Sequence, residues 1–156
     1  MYRIFADVEV GRKNIIFGIA LFLILGVMVG IPLTINFLGG SVLTSEQYQA
    51  WKVVHGYGVF LAFINYFFGL LIDRVDLTRQ QKEVASWSFL IAGLFGAITR
   101  MILLLLSALG TFGLYASLGE TIFISLGTIV FVFGQLRGQR NHLPERAGAA
   151  RSSRVN

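Results

Sequence analysis

Residues 15–37 read IIFGIALFLILGVMVGIPLTINF, without a single charged side chain. A helix of this length crosses the roughly 30 Å hydrocarbon core of a bilayer, which needs about 17–25 apolar residues. The run is too long for the apolar core of a signal peptide, about 7–15 residues, and no small-residue cleavage motif closes it. Three further apolar segments follow, Trp51–Ile72, Val84–Leu109 and Leu118–Leu136. None shows the short alternating pattern of a transmembrane β-strand. The expected fold is therefore an all-α membrane protein, a bundle of four transmembrane helices over residues 15–136. Residues 1–14 precede it, and a basic tail expected to be disordered occupies 137–156.

The composition agrees. Hydrophobic residues make up 55% of the 156-residue chain, charged residues only 13%, and the mean hydropathy is +0.72. A soluble domain carries about 25% charged residues. The basic residues behind the net charge of +5 lie mostly outside the spans. Arg3, Arg12 and Lys13 lie at the N-terminus, Arg74, Arg79 and Lys82 in the second connection, and Arg137, Arg140, Arg146, Arg151 and Arg154 in the tail. Lys52 alone marks the first connection, Gly39–Ala50, and the third, Gly110–Ser117, has no basic residue. Positive residues stay on the cytoplasmic side. Both termini are thus expected in the cytoplasm, in a multi-pass protein of a bacterial inner membrane, with the lipid bilayer and not nucleic acid as its partner.

Ionisable residues inside a membrane are costly and face the bundle or a cavity. His55, Arg100 and Glu120 are of this kind, and Asn36 ends span one on the same side. At ~1.5 Å per residue, His55 lies ~6 Å, Arg100 ~13 Å and Glu120 ~3 Å from the outer ends of their expected spans. Helical phase puts Gly58, Ala62, Asn65 and Gly69 on the His55 face, and Ser86, Gly93, Gly96 and Ser107 on the Arg100 face. Small-residue faces serve either close helix packing or a flat ligand. In the packing reading, His55 bonds a neighbouring carbonyl, Arg100 pairs with Glu120, and the protein is a non-catalytic scaffold, an assembly factor or a subunit of a larger complex. A transporter would call for paired broken helices, which are not evident.

The chain has no cysteine, which removes disulfides, thiolate metal sites and thiol nucleophiles. Zinc needs three or four ligands, and the second histidine, His142, stands in the polar tail. One imidazole is enough for a haem iron and leaves the opposite axial position open. In that reading His55 is the iron ligand, Arg100 forks onto a propionate, and Gly58, Ala62 and Gly96 make room for the porphyrin.

The run from Leu43 to Gly58, LTSEQYQAWKVVHGYG, with Trp51 four residues before His55, resembles the small four-span styrene oxide isomerases. Residues 81–87, QKEVASW, leading into Leu90–Gly93, are similar to that family's entry into span three. The likeness in layout covers about residues 10–136. It implies a homo-oligomer, a trimer, in which haem b is held by His55. The ferric iron would act as a Lewis acid on a small hydrophobic epoxide and yield an aldehyde. Two positions depart from the pattern. Leu61 stands where the family has an Asn, and Thr99, Arg100 and Met101 surround its Tyr position. Asn65, on the His55 face, and Tyr57 are then the candidate catalytic donors, with Tyr66 and Tyr115 as further hydroxyls.

Overall fold

The computed structural model describes residues 9–152, and side chains as far as Arg137. The expected segment ahead of Glu9 and the His142 side chain lie outside the described residues. Four helices are long and apolar enough to cross a membrane: α1, Arg12–Phe37; α2, Ser45–Arg74; α3, Arg79–Leu105; and α4, whose apolar part is Leu109–Arg137. No strand occurs among the described residues. The helix of α4 runs on to Ser152, so the tail expected to be disordered continues it over residues 137–152.

Helices α2, α3 and α4 begin earlier than hydropathy alone places them. Thr44 and Thr78 each accept a hydrogen bond from the backbone N–H three residues on, and the side-chain oxygens of Gln47 and Gln81 accept one from the Thr44 and Thr78 N–H. These two capping boxes satisfy the open donors of α2 and α3, so polar first turns are helical. The third connection shrinks from the expected Gly110–Ser117 to residues 106–108. Ser107 turns there at φ 55, with Ala108 N–H on Leu103 O (2.8 Å) and Ser107 N–H on Leu104 O (3.1 Å). Gly39, at φ +93, closes α1 with the same pattern of bonds. Helix α1 has no side-chain cap of its own. The Asp73 carboxylate, at the far end of α2, accepts from Val10 and Gly11 N–H (3.3 and 3.1 Å) and supplies the anion that end favours.

The helices run up, down, up and down. Gly11 meets Gly69, Gly18 meets Ala62, Leu25 meets Gly58 and Gly30 meets His55, so α1 and α2 are antiparallel along a seam of small residues. Phe89 against Gly127 and Phe95 against Gly119 define the same sense for α3 and α4. Phe68 and Phe89, with ring centroids 4.0 Å apart, join the two hairpins. The end carrying the N-terminus and the α2–α3 connection is called the terminal end below, and the opposite one the loop end.

Helices α1 and α3 widen into π-helix at Phe22–Met28 and Leu94–Thr99. Pro32 lacks the N–H that the Met28 carbonyl would take in an α-helix, and its ring crowds that carbonyl. The widened turns just before it relieve this conflict. Their consequence is local: Val29 N–H bonds Ile24 O rather than Leu25 O. In α3, Arg100 N–H bonds Ala97 O rather than Gly96 O. Two carbonyls, Leu25 O and Gly96 O, thus become available to side chains, and both are taken by residues singled out from the sequence.

Candidate functional site

His55 lies ten positions into α2, ~15 Å along the helix from its start, deeper than the shorter expected span implies. Its Nδ1 is 2.9 Å from Leu25 O. A carbonyl only accepts, so Nδ1 carries a proton and donates, which in the neutral tautomer leaves the lone pair on Nε2. Gly30 faces the ring, and a Cβ there would stand 3.1 Å from His55 Cε1. The half-buried imidazole lines an open groove of about 580 Å³ between α1 and α2. Gly26, Val27, Gly30 and Ile31 form its apolar wall, and Thr34, Tyr48 and Lys52 also line it.

Arg100 forms a separate, closed site. Its guanidinium is 3% exposed and pairs through Nη1 with Glu120 Oε2 at 2.6 Å, itself 8% exposed. The same nitrogen donates to Gly96 O at 2.7 Å, and Nη2 donates to Ser117 Oγ at 2.7 Å. Ser117 passes its own hydrogen to Gly113 O. The Tyr57 ring covers the cation, with its centroid 3.6 Å from Cζ. Arg100, expected to serve a propionate, is instead neutralised inside the chain by Glu120.

The glycine faces are filled as well. A Cβ on Gly58 would overlap Leu25, and one on Gly96 would stand 2.6 Å from Glu120 Cδ. Ala62 is buried, and its carbonyl would be 2.6 Å from a Cβ on Gly18. Gly58, Ala62 and Gly96 are thus contact points between helices. The open space beside His55 is lined instead by Gly26, Gly30, Tyr48 and Lys52, none of which is among the residues that phase selects.

Asn65 belongs to a third cluster, nearer the terminal end. Asn14, Asn65 and Ser86 are fully buried, one from each of α1, α2 and α3. Asn14 Nδ2 donates to Asn65 Oδ1 and to Ser86 O, both at 3.1 Å, and Ser86 Oγ donates to Asn14 Oδ1. Asn65 Nδ2 donates to Leu61 O (3.0 Å) and Phe89 O (3.2 Å). Both Asn65 N–H donors are therefore spent on backbone carbonyls, so it has none to offer a ligand, and it lies ten residues, ~15 Å of helix, from His55. Tyr57, the other candidate donor, lies beneath Arg100. The structure joins Tyr57, Arg100, Gly96 and Glu120, and it leaves His55 apart from them.

Some of these partners were missed in the sequence. Asn14 precedes the expected span one, and Ser117 sat in an expected loop. Lys52 enters the sequence reading only as a topology signal. Its i, i+3 spacing from His55 is the one available signal that both share a face. Asn36, expected near the site, instead ties down the α1–α2 connection, accepting from Val42 and Leu43 N–H and donating to Leu43 O, each at 2.9 Å. Among the described residues, no three His, Cys, Asp or Glu gather as a metal-binding group. The chain matches no protein-family model, no curated protein and no solved structure.

Proposed function

We propose that this is an integral membrane haem b protein in which His55, from the α1–α2 groove, is the single protein ligand of the iron. The observation that carries this reading is the Nδ1 hydrogen bond to Leu25 O. Metal-bound histidines characteristically donate their other nitrogen to a carbonyl or carboxylate, which fixes the ring and raises its basicity. The π-helical turn that frees Leu25 O, the glycine opposite the ring and the apolar wall of the groove fit the same purpose. A haem held by His55 would supply Lewis acidity, and the epoxide-to-aldehyde isomerisation implied by the family resemblance is proposed on that basis. The chain's own part is to hold the imidazole, keep water from the apolar wall and admit a small hydrophobic substrate from the bilayer. Asn65 and Tyr57 are left to the bundle in this proposal, because their polar or ring faces are already engaged.

The trimeric arrangement, the bacterial inner membrane and cytoplasmic termini belong to the same proposal. They rest on the resemblance and on the distribution of Lys and Arg. A reporter fused after Asn156 is expected to be cytoplasmic and one inserted at residues 40–43 external. An external C-terminus would reverse the orientation.

The absorption spectrum of detergent-purified protein tests the haem reading directly. A Soret band with imidazole character is expected for the wild type and for His142→Ala, and its loss for His55→Ala. An unchanged spectrum in His55→Ala would take the iron away from this residue. One observation favours a second reading, a non-catalytic scaffold or assembly factor: among the described residues, no buried side-chain nitrogen or oxygen lacks a partner. Under that reading the purified wild type binds no haem, and His55→Ala changes only helix packing.

A further inference from the structure

We propose that Lys52 holds the anionic edge of the ligand in the His55 groove, which for a haem is a propionate carboxylate. The inference rests on the haem reading and adds the ligand's orientation. Lys52 stands three residues before His55 on α2, so the two share a face, with Lys52 ~4.5 Å nearer the loop end. Both line the same groove. The Lys52 side chain is exposed, its Nζ lies 5.7 Å from the Tyr48 ring centroid, and it forms no ion pair among the described residues.

The other basic group in this half of the bundle is Arg100, and its guanidinium is closed off by Glu120, Ser117 and Gly96 O. An anionic ligand edge in the groove therefore meets Lys52 as its cation. The long apolar stem of a lysine lets the ammonium reach toward the aqueous boundary while its methylenes cover apolar surface. Glycine and aliphatic side chains beside His55 suit the ring body, and Lys52 with Tyr48 suits a charged edge facing water. The groove thus selects an amphipathic ligand, flat and apolar at His55 and anionic one turn further out.

The test is a Soret titration of the full-length apoprotein in detergent with hemin and with hemin dimethyl ester, which has the same ring but no propionate charge. The wild type is expected to bind hemin about two- to fivefold more tightly than the ester, the range of an exposed ion pair. Lys52→Gln is expected to weaken hemin alone and close the gap, Lys52→Arg to keep it, and added salt to narrow it in the wild type. Equal affinity of the wild type for both porphyrins would overturn the role of Lys52 and leave His55 as ligand. So would a gap that survives Lys52→Gln, or equal weakening of both porphyrins by that change. Failure of the wild type to bind either porphyrin would overturn the haem reading and this inference with it.

Discussion

The Arg100–Glu120 pair and the His55 groove occupy the same half of the bundle, yet they treat their polar groups in opposite ways. Arg100 is enclosed by a carboxylate, a hydroxyl, a carbonyl and an aromatic ring. His55 commits one nitrogen to Leu25 O, and its ring lines an open groove. In hydrocarbon a charge without partners is expensive, so a charged residue needed only for folding is closed on all sides. A neutral imidazole is cheaper to leave half satisfied. The contrast matches a structural role for the first region and the ligand role proposed for the second, and substitutions can break it.

The largest effect is expected at the closed pair. Glu120→Gln leaves a buried cation without its counter-charge and is expected to cost about 3–5 kcal/mol, read as a lower midpoint of thermal unfolding in detergent. Arg100→Met combined with Glu120→Gln is expected to recover most of the loss. If the double variant is no more stable than the single one, the two residues do not act as a pair. Haem retention at temperatures where the variants remain folded is expected to be unaffected by either change.

Next comes the seam between α1 and α2. Gly58→Ala places a methyl group against Leu25 and must part the two helices, at about 1–3 kcal/mol. Because Leu25 also carries the carbonyl that holds His55, a blue or red shift of the Soret band should accompany the loss. Asn65→Ala breaks the three-helix cluster with Asn14 and Ser86 and is expected to cost about 1–2 kcal/mol, the upper range for membrane hydrogen bonds. On the proposed function, a full haem spectrum and undiminished turnover in folded Asn65→Ala are expected and would mark its role as structural. Lost turnover with an intact spectrum would return it to the catalytic machinery.

The smallest effect on stability is expected where the functional effect is largest. His55→Ala removes one side-chain hydrogen bond, about 0.5–1 kcal/mol, and should barely move the unfolding midpoint while abolishing the Soret band. A loss of stability as large as that of Glu120→Gln would make His55 a structural residue like Arg100, and the comparison would collapse.

The four spans and their helical nature were legible because lipid admits long apolar runs and little else. The three ionisable residues inside them were legible for the same reason. The helix starts at Ser45 and Arg79 were written in T-x-x-Q patterns, yet hydropathy hides polar turns, so the spans were drawn short. Phase alone placed Gly58, Ala62 and Gly96 beside a ligand. It assumes a uniform 100° per residue, and it does not say which neighbour fills the space a glycine leaves.

The amino-acid sequence by itself determined that the chain is a four-helix membrane protein with one histidine, one arginine and one glutamate within its spans. Tertiary structure decided which of these meet. Arg100 and Glu120 belong to different helices, and their pairing depends on how α3 lies against α4. His55 turns to α1 because a widened helical turn before Pro32 presents Leu25 O there. Periodicity describes one helix at a time, whereas a partner across a bundle is set by crossing geometry, by small residues at the contact and by local departures from the regular helix.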